Sequence, residues 1–418
     1  MTSEHAVIIL AAGKGTRMKS ELPKALQMVC GETMLEHLLD RAKRTGAKKN
    51  IVVAGYKISL VKETIGQRAV IVHQAKLLGS GHAVNQAKNA LAGFKGSTVV
   101  MYCDTPLISE VTISRLIQEH QEKGSDCTLL SVELEKPFSY GRIKRNETGR
   151  VVKIVEENDT DIEEKKIREI NVGCYVFKNE ALFSALKEIK QNPKKKEYYL
   201  TDVIEILAGR GGVDAVITED IEEVLGVNTR QDLAKIEGLM QERILNEWIE
   251  KGVRIRDPRT TVIDAGVEIG HDTVILPHTV IEEKSVIGKN CVIGPFARVR
   301  GGSRVGDGCV VGNFVELVRS KVGNKTQIKH LSYIGDAEIG SFVNIGAGTI
   351  TANYDGKNKH KTIIKDKAQI GSGTVLVAPV TVGRGAKTGA GTVVPKGKNV
   401  PDGSVVVGVP AKILKKGK

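Results

Sequence analysis

The sequence predicts two domains of different class: an α/β domain built on a mostly parallel sheet, followed by a parallel β-helix. Three observations predict them. Short apolar segments alternate with amphipathic ones up to about Asn228. A stretch of helical periodicity follows. From Ile263 onward, aliphatic residues recur every six positions.

In chain order, residues 6–12, 50–54 and 98–103 are apolar runs of strand length, and residues 34–44 and 83–91 between them are amphipathic. That alternation is the pattern of βαβ units, with helices on both faces of the sheet. In residues 231–250, Leu233, Ile236, Met240, Ile244, Leu245 and Trp248 fall on one helical face, and Gly252 ends the run. One helix joining two domains is expected. The boundaries read as 1–229 for the α/β domain, 230–252 for the linker helix and 253–418 for the β-helix with a basic tail.

The repeat runs Ile263, Ile269, Ile275, Ile281, Ile287, Ile293, Val299, Val305, Val311, Leu317. A small or β-branched residue stands four places after each of the first nine, from Val267 to Val315. Two five-residue steps follow, Leu317 to Val322 and Ile334 to Ile339, and the register resumes at Ile364. Such a rule turns three flat faces per coil, each with an inward aliphatic side chain. Flat-sided solenoids pack on copies of themselves, so a homotrimer is expected. Residues 351–361, TANYDGKNKHK, interrupt the coil with polar and basic groups and read as a functional loop.

The chain has 418 residues, 41% hydrophobic and 27% charged, which excludes a disordered chain and suits two or three domains. No apolar run approaches the ~20 residues of a membrane helix, and no secretory signal is expected. Six scattered cysteines without metal-ligand spacing read as core residues of a cytoplasmic protein. The net charge of +13 admits a nucleic-acid binder or an enzyme of phosphorylated substrates. At 4% aromatic residues there is no stacking platform, which disfavours nucleic acid. The clusters at Lys194, Lys195 and Lys196 and in residues 412–418 read mainly as solvated surface.

The first apolar run leads into Leu10-Ala11-Ala12-Gly13-Lys14-Gly15-Thr16-Arg17-Met18, with Pro23-Lys24 beyond. Glycines at a strand end let backbone N–H groups approach phosphate oxygens, and Arg17 and Lys24 can neutralise a polyphosphate. The segment is not a Walker A loop. Nor is it a dinucleotide fingerprint, because Met18 stands where the third glycine belongs.

These residues resemble the signature of sugar-1-phosphate nucleotidyltransferases. Further matches follow in order: Gln74, Gly79-Ser80-Gly81-His82, Tyr102-Cys103-Asp104, Tyr140-Gly141-Arg142, Glu156, Asn171, Glu197-Tyr198-Tyr199 and Gly226-Val227-Asn228. With the hexapeptide half attached, the chain resembles the bifunctional N-acetylglucosamine-1-phosphate uridyltransferase/glucosamine-1-phosphate acetyltransferases from about Val7 to Pro410. The resemblance implies a Rossmann-like nucleotidyltransferase domain and a left-handed parallel β-helix. It implies UTP and acetyl-CoA as co-substrates, Mg²⁺ at Asp104 and Asn228, and a product, UDP-N-acetylglucosamine, that feeds cell-wall synthesis. Leu10, Ala11, Ala12, Gly13, Tyr102 and Cys103 would line the nucleotide sugar site. Arg17 and Lys24 would stabilise the phosphates, Gln74, Gly79 and Ser80 would read uracil, and Gly141, Glu156 and Asn171 would hold the N-acetyl sugar.

In the second half the resemblance makes His330 the base that takes the amine proton. It assigns Arg300, Tyr333 and Asn344 to the amino sugar phosphate and Ala347, Ser372 and Ala390 to acetyl-CoA. Asn353 and Tyr354 would serve the amino sugar and acetyl-CoA. Four departures stand out. Cys103 replaces a usual glycine, and Ser80 a usual threonine. Val318 replaces a phosphate-binding lysine, with Arg319 beside it as a partial substitute. Gly408 replaces an arginine, leaving Lys412 and Lys415 as stand-ins. The β-helix also looks a few coils short, starting soon after Asp257-Pro258. An alternative is a nucleotidyltransferase whose β-helix serves only assembly or regulation, and a third reading is a nucleic-acid-binding scaffold.

Overall fold

The computed structural model describes residues 4–137 and 139–414. The chain divides into two compact units, Met1–Val29 with Thr33–Glu237, and Cys30–Glu32 with Gly238–Lys418.

In the first unit seven strands run across the sheet in the order Val213–Ile217, Cys127–Glu133, Glu169–Lys178, Ser97–Tyr102, His5–Ala11, Lys49–Ala54, Val70–His73. All pairs along this path are parallel except those of Glu169–Lys178, which runs antiparallel to both neighbours. The hairpin Arg142–Arg145 with Val151–Val155 is attached to that reversed strand. Every residue of His5–Ala11 is buried. Val7, Ile9 and Ala11 pack with Leu35 and Leu38 on one face of the sheet, and Ala6, Ile8 and Leu10 with Ala83 and Val84 on the other. That alternation on both faces is the reason a continuous apolar run makes a central strand. The helix Met34–Arg44 starts at a capping box in which Thr33 and Glu36 satisfy each other's backbone N–H groups.

The helix Arg230–Glu250 carries the division between the units, which falls after Glu237. In the second unit Ile244, Leu245 and Trp248 pack with the β-helix core.

That core is one column. Ile263, Ile281, Val299 and Leu317 are in parallel register, and successive coils are 18 residues apart. The two five-residue steps shorten coils to 17 residues, as in the pairing of Val305 with Val322. All ten aliphatic residues of the repeat are buried, as are the nine small residues four places on. The small polar ones saturate the corners: Thr273 donates to the Gly288 carbonyl (2.8 Å) and accepts from the Cys291 N–H (3.0 Å). The first coil begins at Arg254–Ile255, ahead of Asp257 and Pro258 rather than after them. The loop is also shorter than the composition indicated, because Thr351 and Ala352 remain in the strand Ile350–Ala352 and pair with Leu376 and Val377.

The corners hold something periodicity did not disclose. Asp272, His278, Lys284, Asn290 and Phe296, six residues apart, adopt φ of 59°, 60°, 58°, 56° and 53°. Left-handed backbone costs a non-glycine residue ~1–2 kcal/mol, here offset by the strand ladders on either side of each corner.

Candidate active sites

In the first unit Leu10, Ala12, Gly13, Lys24, Gln74, Gly79, Ser80, Tyr102, Cys103 and Asp104 line one cleft of about 350 Å³, together with Leu77, Ala83 and Glu197. It opens at the C-terminal ends of the parallel strands, where α/β sheets bind ligands. A larger cavity of about 680 Å³ around His5 and Gln118, at the other end of His5–Ala11, contains none of the expected residues. The chemistry belongs to the smaller cleft.

Gly15 (φ 68°) brings the loop against Lys24, and a Cβ there would lie 2.6 Å from the Lys24 Cβ. At Gly13 a Cβ would meet nothing within 4 Å, so this stretch of backbone faces open space that a phosphate can enter. The Asp104 carbonyl accepts from the Val227 N–H (2.8 Å), which sets Asp104 beside Asn228. Between them sits one cation: Lys24 Nζ is 2.5 Å from Asp104 Oδ2 and 2.9 Å from Asn228 Oδ1. Arg17 also donates to Asn228 Oδ1 (2.9 Å). Two hard oxygens therefore converge on the Lys24 ammonium, with the Arg17 guanidinium sharing one of them, and such oxygens are the donors Mg²⁺ takes when water and phosphate complete its shell.

Asn228 is held by a residue the sequence reading did not single out. Asp232 Oδ2 accepts from the Asn228 N–H (2.9 Å) and the Thr229 N–H (2.8 Å). Against the upward pull of burial, these donors keep the Asp232 carboxyl below its usual range. A boundary at residue 229 would cut Asp232 away. Its signal was an acidic residue in the first turn of the expected helix.

Gln74 is buried, and its Nε2 donates to the Gly79 carbonyl and to His82 Nδ1, both at 3.0 Å. Burial lowers the His82 pKa and so favours its neutral ring; the Gln74 amide nitrogen can only donate, and with it committed the Gln74 Oε1 is the acceptor that remains. Gly79 (φ 100°) passes so close to Tyr198 that a Cβ would be 2.5 Å from its carbonyl oxygen. Ser80 Oγ accepts from the Leu200 N–H (3.0 Å). Gly173 (φ 83°) supports Tyr102, whose ring would be 2.6 Å from a Cβ there. Burial pushes the Cys103 thiol up to about 12, so it is a neutral part of the cleft wall.

Burial raises the Glu156 pKa, and Thr201 donates to Glu156 Oε1 (2.9 Å). Asn171 is committed within the protein: Nδ2 donates to the Tyr175 hydroxyl (2.7 Å) and Oδ1 accepts from the Gly173 N–H (3.2 Å). The Asn171 N–H bonds to the Gly141 carbonyl (2.9 Å). Ala11, Arg17, Gly141, Glu156, Asn171 and Asn228 are not among the residues lining the cleft itself.

In the second unit His330 is exposed on the strand Gln327–Gly335, paired with Asn313 of the coil before. The N–H groups of Gly348, Gly373 and Gly391 bond to the carbonyls of Leu331, Ala347 and Ser372. His330, Ala347, Ser372 and Ala390 therefore occupy equivalent places in successive coils. Along the same corner the left-handed residues change from His278, Phe296, Phe314 and Leu331 to Gly348, Gly373 and Gly391. A ridge of bulky side chains ends beside His330, and a groove floored by small ones begins. The loop starts at Asn353, and Tyr354 is exposed.

Tyr333 Oη and Asn353 Nδ2 converge over Gly335, each 2.7 Å from where its Cβ would be. Arg300 lies 3.8 Å from Glu282 and 3.6 Å from Glu316 and is partly exposed. Asn344 faces solvent. Arg319, expected as a partial substitute at the phosphate, is paired with Asp336: its Nε and a terminal nitrogen are 2.6 and 2.8 Å from the two carboxylate oxygens. Val318 is buried. Lys412 lies in a short strand paired with Val407, and Lys415 falls outside the described residues.

Fold and sites together define a two-domain transferase, with a nucleotidyl-transfer cleft in one unit and a hexapeptide acyl-transfer groove in the other. The profile of the MobA-like NTP transferase domain matches residues 7–205, and that of the bacterial transferase hexapeptide (six repeats) matches residues 284–319. The chain is 45% identical to the bifunctional protein GlmU of Shouchella clausii, over 94% of each chain. It is 42% identical to that of Halalkalibacterium halodurans, over 94% of each. To that of Streptococcus thermophilus it is 43% identical, over 99% of this chain and 97% of the relative. The chain belongs to the bifunctional GlmU family.

Proposed function

We propose that this chain makes UDP-N-acetylglucosamine in two steps. The β-helix acetylates glucosamine 1-phosphate from acetyl-CoA, and the α/β unit transfers uridylyl from UTP to the N-acetylated product with release of pyrophosphate. The observation that carries the reading is the Lys24 ammonium gripped between Asp104 and Asn228 at the mouth of the cleft. It marks a place built for positive charge where two anions must meet.

In uridylyl transfer a phosphate oxygen of the sugar attacks the α-phosphorus and pyrophosphate leaves. Asp104 and Asn228 would hold Mg²⁺, which when bound supplies charge neutralisation of the phosphate oxygens. Lys24 and Arg17 stabilise the charge that develops on the α-phosphate and leaving group. Gln74 orients the base, and the Gly13 backbone admits the phosphates. Site residues on the sugar side are Gly141, Glu156 and Asn171.

In acetyl transfer the amine nitrogen attacks the thioester carbonyl while His330 takes its proton. The carbon–sulfur bond then breaks, and the thiolate leaves protonated as coenzyme A. Arg300 meets the sugar phosphate, Tyr333, Asn344 and Asn353 hold the sugar, and Ala347, Ser372 and Ala390 floor the path of the coenzyme. Glucosamine-1-phosphate-dependent release of coenzyme A tests this step. His330→Ala should cut its kcat by about 10²–10⁴-fold, the range of general-base catalysis, and leave uridylyl transfer intact. Equal release by the variant overturns the role of His330.

A second copy of the chain is the occupant we assign to the exposed apolar ridge. His278, Phe296 and Phe314 stack with ring centroids 4.7 and 4.9 Å apart, and Phe296, Phe314 and Leu331 are 45%, 54% and 63% exposed. Sedimentation equilibrium should give three times the 45.2 kDa chain mass. A monomer overturns the trimer. Because UTP and acetyl-CoA are cytoplasmic metabolites, we place the enzyme in the cytoplasm; among the described residues no helix is long and apolar enough to cross a membrane.

A further inference from the structure

Asp336 stands at the turn between Gln327–Gly335, which carries His330 and Tyr333, and Ala337–Ile339. Nothing in the chemistry above uses it, yet its carboxylate accepts three hydrogen bonds from two other side chains. Both oxygens accept from Arg319, at 2.6 and 2.8 Å, and Oδ2 also accepts a short hydrogen bond from Asn353 Nδ2. Its N–H bonds to the Val318 carbonyl (2.9 Å), and its own carbonyl accepts from Thr362 (3.2 Å), the first residue after the loop. Its left-handed φ of 48° aims the carboxylate at the start of the loop. The carboxyl is held below its usual range by Arg319, with Asn353 adding to the effect.

A carboxylate only accepts hydrogen bonds, so it fixes which end of the Asn353 amide faces it. The nitrogen is taken. Asn353 Oδ1 has no hydrogen-bond partner among the described residues, although the residue is 6% exposed, while its Nδ2 lies with the Tyr333 hydroxyl over Gly335. The Asn353 carbonyl is occupied by the His360 N–H (2.7 Å), so the side-chain oxygen is the acceptor left to offer.

We propose that Asp336, braced by Arg319, is a positioning residue of the acetyl-transfer site. It holds Asn353 so that its amide oxygen, and not its nitrogen, is presented to a hydrogen-donating group of the amino sugar. The proposal rests on the acetyltransferase reading above. It makes the Arg319–Asp336–Asn353 chain a determinant of sugar affinity without contact between Asp336 and the sugar.

The test is steady-state kinetics of the full chain with Asp336→Leu, and with the conservative Asp336→Glu. In the leucine variant no acceptor faces the Asn353 nitrogen, so the amide turns freely and its oxygen is no longer held toward the sugar. KM for glucosamine 1-phosphate should rise about tenfold, as for loss of one hydrogen bond in a charge-assisted network, with kcat and KM for acetyl-CoA changing less than about threefold. Asp336→Glu keeps a carboxylate acceptor for Asn353 and Arg319, so KM should stay within about threefold of that of the unaltered chain. Circular dichroism and the KM for acetyl-CoA, measured on the same samples, serve as the folding control. Should Asp336→Leu fail to fold, Arg319→Met should still raise the same KM by about threefold. An unchanged KM in Asp336→Leu, or an equal loss in Asp336→Glu, overturns the proposal while leaving the acetyltransferase reading intact. Absence of acetyl transfer in the unaltered chain overturns both.

Discussion

Removing Lys24 should make the free protein bind a divalent cation more tightly while it destroys uridylyl transfer. Lys24 Nζ lies 2.5 Å from Asp104 Oδ2, with the two side chains 14% and 26% exposed. A metal reaching Asp104 and Asn228 must first displace that ammonium. The pair is too sheltered to count as a surface ion pair of under 1 kcal/mol, yet too wet for the full strength of a buried one. A charge-assisted contact in this partly wet setting contributes about 1.5–2 kcal/mol, the low end of the range for hydrogen bonds to charged groups. Lys24→Met should therefore strengthen Mn²⁺ binding without nucleotide by about 10- to 30-fold, since 1.4 kcal/mol is tenfold. Titration of Mn²⁺ against the nucleotide-free chain, followed by electron paramagnetic resonance, measures it. The same variant should lose about 10²–10³-fold in kcat for uridylyl transfer, the usual effect of removing one preorganised donor at developing charge. Unchanged or weaker Mn²⁺ binding would refute the reasoning, because Lys24 would then not occupy the place of the cation.

Three further outcomes are expected. Asp104→Ala should abolish uridylyl transfer and spare acetyl transfer, checked by pyrophosphate and coenzyme A release from one sample. A fragment ending at Glu237 should bind UTP like the whole chain, whereas one ending at Arg230 should bind about tenfold more weakly, since it lacks the Asp232 acceptor for the Asn228 and Thr229 N–H groups; calorimetry decides. Burial, with Glu205 and Glu156 nearby, raises the Asp202 carboxyl from 3.8 to about 6. Its contribution to stability is full below pH 3.8 and lost as the pH rises through about 6, so Asp202→Asn should raise the urea midpoint relative to the unaltered chain at pH 8, and that advantage should shrink below pH 6 and vanish only near pH 3.8.

The β-helix was legible in the sequence because its rule is one-dimensional: each of Ile263 to Leu317 faces the same column, so the period alone predicts burial. The strand His5–Ala11 and the helix Met34–Arg44 were legible for a related reason, a continuous apolar run against an amphipathic one. The reversal of Glu169–Lys178 was not, because strand direction leaves no trace in periodicity. The cleft was legible as motifs, and ten of its expected residues do line one space. What stayed hidden were the residues that act through others. Asp232 and Asp336 look like ordinary surface carboxylates until folding sets one under the Asn228 backbone and the other against Asn353. The left-handed corners were hidden too, since Phe296 and His278 are not residues that advertise positive φ.

The central claim is that one chain carries both transfers in sequence. The direct measurement is to incubate it with glucosamine 1-phosphate, acetyl-CoA, UTP and Mg²⁺ and to identify the nucleotide sugar by mass spectrometry. The account predicts UDP-N-acetylglucosamine, with coenzyme A and pyrophosphate released in equal amounts. UDP-glucosamine without coenzyme A release, or no nucleotide sugar at all, would contradict it.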